Sequence, residues 1–197
     1  MNQVSAIVLA AGFSTRMHTG QKLFHSFRGK MLIEHVLDNL RGSVHEIVLV
    51  GKTGDRKLLE KAAKGNAEIV SNETPEKGLT SSIQKGISSL KREGTGYMIC
   101  LGDMPLISRE DYIWISEMFC LSHSKNHKTI TAPFFQNKKG NPVIFSSFYR
   151  EELLSNKEPG GCKNIVEKHD DQLIRIDMNT PVILQDIDTV EDLKRLN

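Results

Sequence analysis

The sequence predicts an α/β protein with a Rossmann-like, doubly wound and mostly parallel sheet that carries helices on both faces. Continuous apolar runs such as VSAIVLA (residues 4–10) and HEIVLV (residues 45–50) are typical of strands buried on both sides. These runs alternate with amphipathic helical patterns. Such alternation predicts parallel strands that are joined by crossover helices.

The predicted elements follow one another without a linker or an internal repeat, so we expect one domain over residues 1–197. In the first half, strands are predicted at 4–10, 45–50, 67–70 and 97–101, and helices at 31–40, 56–64, 81–93 and from Ser108 onward. The second half is less regular and predicts a small β excursion at 129–135 and 142–145. Short helices at 148–154 and 163–169, strands at 173–177 and 182–187, and a helix at 190–196 follow.

Composition excludes several classes of function. The net charge of +2 and the absence of a run of five or six like charges argue against a nucleic-acid partner. No apolar stretch approaches 18 residues, so we expect no membrane partner. The three cysteines form no C-x-x-C pair, which favours a reducing compartment. We therefore expect a cytoplasmic protein.

The segment that follows the first strand has the composition of a phosphate-binding loop. The small residues Ala10, Ala11 and Gly12 let the backbone turn sharply, so that successive N–H groups face an anion. Ser14 adds a hydroxyl, and Arg16 and Lys22 add two cations. A tight turn with two solvated cations explains the same residues equally well.

An aspartate follows the fourth predicted strand, in the sequence LGDMPL (residues 101–106). Mg²⁺ takes one or two carboxylates together with phosphate oxygens and water, so Asp103 is a candidate metal ligand. The alternative role, a cap for the next helix, is already filled by Ser108, which forms a capping box with Asp111. Ligands of open α/β sheets bind beyond the carboxyl ends of the strands, so we expect this loop and the first to face one crevice.

A second pair of carboxylates, Asp186 and Asp188, lies before the last helix. The two side chains share one side of an extended segment, so spacing does not choose between them as metal ligands. Taken alone, Asp188 is better explained as an N-cap. Cys120, His123 and His127 have a zinc-like spacing, but their polar, basic surroundings offer no fourth ligand.

Five motifs, in this order, resemble those of nucleotidyltransferases of the molybdenum-cofactor group. They are LAAGFSTRM (9–17) with Lys22, GLTSSI (78–83), LGDMPL (101–106), GNPVIF (140–145) and DIDTVEDL (186–193). Within the group, the chain is most similar to the molybdenum cofactor cytidylyltransferases, including the type associated with xanthine dehydrogenase and purine breakdown. It has LAAG and DIDT where guanylyl-transferring relatives tend to have LAGG and N-x-N-T.

The resemblance implies a Mg²⁺-dependent transfer of CMP from CTP to the phosphate of a molybdopterin-type cofactor, with release of pyrophosphate. A molybdenum hydroxylase of the xanthine dehydrogenase type is the implied protein partner. The implied catalytic residues are Arg16, Lys22 and Asp103, and the implied metal ligands are Asp103 and Asp188. The implied nucleotide-binding residues are Leu9, Ala10, Ala11, Gly12, Ser14, Asn72, Gly78, Thr80, Ser81, Ser82 and Gly102. Asn141 and Pro142 are the implied acceptor-binding residues.

The chain departs from the family pattern near the expected acceptor. Asn141 replaces the usual histidine and Lys139 the usual arginine, and Lys22 comes one residue later than in many cytidylyl members. Two other functions stay open. One is a sugar- or alditol-phosphate nucleotidyltransferase on the same fold, which the absence of long acceptor-domain insertions disfavours. The other is a non-catalytic chaperone that delivers the cofactor to a hydroxylase, which the retained Arg16, Lys22, Asp103 and Asp188 disfavour.

Overall fold

An eight-stranded mixed sheet forms the centre of the computed structural model, which describes residues 3–12 and 22–196. The strands, in chain order, are β1 (Val4–Leu9), β2 (Ser26–Phe27), β3 (Lys30–Met31), β4 (Glu46–Lys52), β5 (Glu68–Asn72), β6 (Gly96–Leu101), β7 (Ile130–Phe135), β8 (Lys138–Lys139), β9 (Val143–Ser146) and β10 (Leu173–Asp177). All of them except β2 and β3, which pair with each other as a small hairpin, belong to the large sheet.

The order of strands across the sheet is β10-β7-β9-β6-β1-β4-β5, and the short strand β8 pairs with β7. β1, β4, β5 and β6 are parallel to one another, and β10 is parallel to β7. β9 runs antiparallel to both of its neighbours, β6 and β7. The carboxyl ends of six long strands and the start of β9 therefore lie at the same edge of the sheet.

Helices cover both faces of the sheet, as the sequence predicts. Their bounds are α1 (Leu32–Leu40), α2 (Arg56–Ala63), α3 (Leu79–Ser88), α4 (Arg109–His123), α5 (Arg150–Ser155), α6 (Lys163–Lys168) and α7 (Val190–Leu196). One core cluster joins α1, α2 and α4 to the sheet, and a second joins α3, α5 and α6 to its other face. None of the described helices combines the length and the apolar character needed to cross a bilayer.

Strict alternation along the central strands explains why both faces are covered. In β1, Val4, Ala6 and Val8 enter the first core cluster, whereas Ile7 and Leu9 enter the second. All six residues of β1 are buried. Since successive side chains of a strand point to opposite faces, an apolar run of this kind requires packing on both sides. The predicted doubly wound α/β class is confirmed.

Two details of the second half differ from the prediction. The predicted β excursion is part of the main sheet, because β9 lies between β6 and β7. The strand predicted at 182–187 is wrong: Pro181–Leu184 forms a 3₁₀ helix. Pro181 stands at its first turn, and the Thr180 hydroxyl accepts a hydrogen bond from the Val182 N–H. Proline presets the backbone φ of a helical first turn, so the apolar run after it folds as a turn.

The interface of α3 with the sheet predicts a measurable effect of a single methyl group. A Cβ added at Gly86 would overlap Ile7 Cγ2 and lie 3.2 Å from Val50 Cγ2. Alanine normally stabilises a helix interior relative to glycine, by about 1 kcal/mol. Overpacking costs about 1–3 kcal/mol, so we expect Gly86→Ala to lower the free energy of unfolding. Urea denaturation measures this change.

Ser88→Ala, at an exposed position of the same helix, is the matched control. We expect it to change the free energy of unfolding by less than about 0.5 kcal/mol. A Gly86→Ala variant more stable than the wild type would contradict the close packing of α3 on β1.

Candidate active site

Asp103 lies where the edge of the sheet is fixed by backbone hydrogen bonds. β6 ends at Leu101, which pairs with Leu9 at the end of β1. The Gly102 N–H then donates to the Leu9 carbonyl at 3.0 Å. The aspartate therefore follows directly on the point where two central parallel strands end, which is the ligand-binding position of an open α/β sheet.

The segment that carries Asp186 and Asp188 is attached to this same loop. The Ile187 N–H donates to the Asp103 carbonyl at 2.9 Å, and the Ile187 side chain is completely buried against Phe27 and Leu32. In an extended segment, neighbouring side chains point away from the one between them. Burial of Ile187 thus turns both aspartates toward Asp103. Ligand oxygens of the three carboxylates lie within 4.8 Å of one another.

Lys22 places its ammonium between two of these carboxylates. Its Nζ donates to Asp103 Oδ2 at 2.7 Å and to Asp188 Oδ1 at 2.6 Å. The lysine side chain is only 11% exposed, against 22% for Asp103 and 32% for Asp188. Lys22 begins the 3₁₀ turn Lys22–Phe24, and Phe24 is followed by the β2–β3 hairpin. Three distant parts of the chain meet at this ammonium.

The cluster perturbs the protonation of two of its members. Burial lowers the pKa of Lys22, but the charge of Asp103 and the hydrogen bonds to Asp103 and Asp188 outweigh it, so this pKa lies above that of an ordinary lysine. Burial, together with the charges of Asp188 and Asp103, raises the pKa of Asp186. Both pKa values are raised, because nearby carboxylate charge favours the protonated form of the lysine and of the aspartate alike.

The alternative capping roles of the aspartates are filled by other residues. Ser108 caps α4, and its side chain accepts from Asp111 N in the predicted capping box. At α7, the Thr189 hydroxyl accepts from Asp192 N at 3.1 Å, and the Asp192 carboxylate accepts from Thr189 N at 3.0 Å. This second capping box was not predicted. It leaves the Asp188 side chain to the pairing with Lys22.

The start of the predicted phosphate loop lies beside the cluster. Leu9, Ala10 and Ala11 are buried, and Gly12 is exposed. The Ala10 N–H donates to the Val50 carbonyl at 2.7 Å, which extends the pairing with β4 beyond the end of β1. Ser14 and Arg16 lie outside the described residues.

The predicted nucleotide residues around α3 form a network of their own. The buried Asn72 side chain donates to the hydroxyls of Ser81 and Ser82, both at 2.9 Å, and accepts from Thr74 N. Asn72 ends β5, so the network joins the carboxyl edge of the sheet to the first turn of α3. Gly78 has a φ of +80°, and a Cβ there would overlap the Pro159 carbonyl oxygen.

Thr80 links α3 to the turn before α6. Its hydroxyl accepts from Gly161 N at 3.0 Å and donates to the Glu158 carbonyl oxygen. The side chains of Asn72, Thr80, Ser81 and Ser82 are thus hydrogen-bonded within the protein. Any contact that these residues make with a nucleotide has to use their backbone or the remaining capacity of their hydroxyls.

The predicted acceptor residues, Asn141 and Pro142, lie at the same edge of the sheet as the carboxylates. β9 begins at Val143, whose partner in β6 is Ile99, so the two residues before it flank the end of β6. The peptide bond between them is cis, and the Asn141 N–H donates to the Ile183 carbonyl at 3.0 Å. Pro142 is buried and Asn141 is half-buried.

A zinc site from Cys120, His123 and His127 finds no support in the described part of the chain. The aspartate cluster is the group of potential ligands found among the described residues. His123 stacks on Phe119, and His127 packs against the edge of Phe148.

Fold and site together define the class: an α/β domain whose charged crevice lies at the carboxyl edge of a mostly parallel sheet, as in nucleotide-binding domains. The chain belongs to the family of MobA-like NTP transferase domains, whose sequence model matches residues 6–173. This match includes Lys22, Asp103 and Asn141, but it ends before Asp186 and Asp188.

Curated relatives match part of the chain. The bifunctional protein GlmU of Staphylococcus haemolyticus is 35% identical over 109 residues, which are 54% of this chain and 24% of that protein. The matched segment is thus about a quarter of the relative's length.

Solved structures match almost the whole chain. Rv0371c of Mycobacterium tuberculosis has a TM-score of 0.82 at 23% identity, over 99% of this chain and 97% of that one. A second structure of Rv0371c is a complex with manganese. The 4-diphosphocytidyl-2C-methyl-D-erythritol synthase of Anaerococcus prevotii has a TM-score of 0.71 at 18% identity, with 98% and 94% covered. The molybdopterin-guanine dinucleotide biosynthesis protein A of Archaeoglobus fulgidus has a TM-score of 0.68 at 19% identity, with 98% and 96% covered. At these identities the similarity establishes the fold.

The Thr80 network predicts a loss of stability on removal of one hydroxyl. In Thr80→Val the Gly161 N–H loses its acceptor, and an unsatisfied buried donor costs about 1–3 kcal/mol. We expect urea denaturation to show a loss of this size. Thr80→Ser keeps the hydroxyl and serves as the control. Unchanged stability of Thr80→Val, together with weaker nucleotide binding, would instead assign the hydroxyl to the ligand.

Proposed function

We propose that this protein transfers CMP from CTP to the phosphate of a molybdopterin-type molybdenum cofactor and releases pyrophosphate, with Mg²⁺ as the cofactor. The observation that carries the proposal is the pairing of Lys22 with Asp103 and Asp188 at the carboxyl edge of an NTP transferase domain. The choice of nucleotide and acceptor rests on the sequence motifs, above all LAAG at 9–12 and DIDT at 186–189.

The residues present fit a hard divalent cation. Asp103, Asp186 and Asp188 offer three carboxylates within 4.8 Å of one another. Asp103 Oδ1 is buried and has no hydrogen-bond partner among residues 3–12 and 22–196, which is costly for a carboxylate oxygen unless another ligand takes it up. Mg²⁺ prefers oxygen ligands and uses one or two carboxylates together with phosphate oxygens. Asp103 and Asp188 would hold the ion, which would neutralise charge on the phosphates at the point of transfer.

The protein's own part in the reaction is to position and neutralise two anionic reactants. The backbone from Ala10 to Gly12 would face the phosphates, while Arg16 and Lys22 would stabilise the β- and γ-phosphates that leave as pyrophosphate. The acceptor is a phosphate monoester whose second pKa is about 6, so at pH 7 it is largely dianionic. Its oxygen attacks the α-phosphorus without a protein base, and the bond to the pyrophosphate oxygen breaks in line.

The acceptor would enter from the side of β9. Asn141 and Pro142 flank the end of β6 on the side of the sheet opposite to β1, β4 and β5. The nucleotide would lie over β1 and β5, between the Ala10–Gly12 backbone and the first turn of α3 near Asn72 and Gly78. This division gives each reactant one side of Asp103.

A second candidate is the transfer of CMP to an alditol phosphate. The Anaerococcus prevotii synthase has nearly the same length, since the match covers 94% of its chain. Chain length therefore does not separate the two functions. Both candidates use the same carboxylates and the same CTP, and they differ in the acceptor alone. Pyrophosphate release measured with each acceptor in turn distinguishes them.

A third candidate is a chaperone that binds the cofactor and delivers it, without chemistry, to a hydroxylase of the xanthine dehydrogenase type. A purely binding role does not explain a buried lysine between two carboxylates at the carboxyl edge of the sheet. Release of pyrophosphate that depends on both CTP and acceptor would exclude a purely binding role. A protein that transfers CMP and then delivers the product to a hydroxylase would give the same result in this assay.

Asp103→Asn tests the metal assignment. It removes a negative charge without changing size, so we expect pyrophosphate release to fall by a factor of about 100 or more. Equilibrium binding of CTP should weaken far less, by about tenfold or less, because most nucleotide contacts remain. Asp38→Asn, at a half-buried position of α1 that pairs with Lys30 and Arg41, is the control and should retain wild-type turnover. Near-normal turnover of Asp103→Asn with Mg²⁺ would refute the assignment.

The nucleotide preference is tested by thermal unfolding with each of the four NTPs in the presence of Mg²⁺. A ligand that binds the folded state raises the unfolding temperature by mass action, and a hundredfold excess over Kd contributes about 2.7 kcal/mol. We expect CTP to give the largest shift at equal concentration. A larger shift with GTP or ATP would overturn the cytidylyl assignment and leave the fold and the metal site untouched.

A further inference from the structure

Lys22 makes two contacts that a lysine poised for phosphates does not need. Its Nζ is 2.7 Å from Asp103 Oδ2 and 2.6 Å from Asp188 Oδ1, and the side chain is largely buried. These two aspartates are the proposed ligands of the metal. In this structure the ammonium thus neutralises the two carboxylates that a divalent cation would use.

An ammonium and a divalent cation cannot share this position. Mg²⁺ lies 2.0–2.1 Å from a carboxylate oxygen, whereas a charge-assisted N–H···O contact measures about 2.7–2.9 Å. Two cations that contacted the same pair of carboxylates, even through different oxygens, would therefore lie within a few ångströms of each other. At that distance, and partly shielded from water, repulsion between them is strong. One of them has to leave.

We propose that Lys22 is a built-in counter-ion that occupies the metal position in the nucleotide-free protein and excludes the free divalent cation. The cation then enters together with the triphosphate, whose negative charge draws Lys22 from the carboxylates to the phosphates. Binding of metal and nucleotide is coupled through this one side chain, and the coupling is reciprocal. The inference rests on the proposed function for its triphosphate, but the exclusion itself concerns the metal alone.

The exclusion prevents two unfavourable states. Without a cation, three carboxylates within 4.8 Å would repel one another, and the lysine reduces this repulsion. If the metal bound without the nucleotide, it would lack the phosphate oxygens that complete its set of ligands. A lysine on a flexible four-carbon stem suits this exchange, since its ammonium moves several ångströms by rotation of the side chain.

The experiment is a titration of the nucleotide-free protein with Mn²⁺, followed by calorimetry and by the electron paramagnetic resonance of the free ion. We expect Lys22→Met to bind Mn²⁺ at least about tenfold more tightly than the wild type, because the competing ammonium is gone. Equal or weaker binding by Lys22→Met would overturn the proposal.

Lys30→Met is the matched control. Lys30 Nζ also pairs with an aspartate, Asp38 Oδ2, at 2.6 Å, but on the surface and away from the cluster. We expect this variant to bind Mn²⁺ as the wild type does. Tighter binding by Lys30→Met would show that loss of any lysine raises the affinity, and it would also count against the proposal.

A second pair of measurements covers the case in which Lys22→Met folds poorly. Lys22→Gln keeps a hydrogen-bond donor without the charge and should bind Mn²⁺ more tightly in the same way. In thermal unfolding without nucleotide, saturating Mn²⁺ should stabilise Lys22→Gln more than the wild type. An equal gain for both proteins would contradict the exclusion.

Failure of this inference and failure of the proposed function have different signatures. Tight Mn²⁺ binding by the nucleotide-free wild type, with normal CMP transfer, would reject the exclusion and keep the function. Tighter binding in Lys22→Met, with no transfer to any acceptor, would keep the exclusion and reject the function.

Discussion

Two backbone hydrogen bonds hold the chemistry of this protein in one place. The Gly102 N–H donates to the Leu9 carbonyl, and the Ile187 N–H donates to the Asp103 carbonyl. The first joins the ends of the two central strands, and the second attaches a segment that is 84 positions away in sequence. Because both bonds use main-chain atoms, they fix the direction of the flanking side chains without regard to charge. The carboxylates converge as a consequence.

Once the carboxylates converge, their mutual repulsion has to be balanced. Lys22 provides this balance, and burial makes its charge more effective than it would be in water. The ends of the strands fix the positions of the aspartates, and the aspartates bind the ammonium of Lys22. By our inference, Lys22 then excludes a free divalent cation from the site. The apolar cluster of Phe27, Leu32 and Ile187 buries the residue between Asp186 and Asp188 and so holds this segment in place.

Much of this arrangement could be predicted from local patterns. Apolar runs and their alternation with helices gave the parallel sheet, and an aspartate after a buried strand pointed to the carboxyl edge. What failed or stayed open depended on backbone constraints and side-chain hydrogen bonds that the apolar pattern does not contain. The 182–187 segment is as apolar as a strand, yet Pro181 starts a 3₁₀ turn there. The role of Asp188 could not be chosen by spacing, since the choice depends on Thr189 and Asp192 forming a capping box.

The ion pairs of Lys22 with Asp103 and Asp188 could not be predicted from the sequence, although the two loops were expected to face one crevice. A lysine after a glycine-containing loop is typical of phosphate binding, and nothing near it in the chain indicates two carboxylates at positions 103 and 188. The side chains around α3 are a different case. The family resemblance implies nucleotide contacts for them, and in the structure Asn72 and Thr80 also bind neighbouring parts of the protein. Polar residues at a sheet edge serve both purposes, and sequence does not separate them.

The reversed direction of β9 has a consequence for how such a protein diversifies. In a purely parallel sheet, every loop at the carboxyl edge connects a strand to the crossover helix that follows it. A change in the length of such a loop therefore tends to shift that helix. Here residues 136–142 form a return connection between β7 and β9, with only the short β8 inside it. Because this connection contains no helix, it can be lengthened or replaced without a shift of any helix. One side of the crevice can therefore acquire new contacts to small molecules without a change in the strands and helices of the other side.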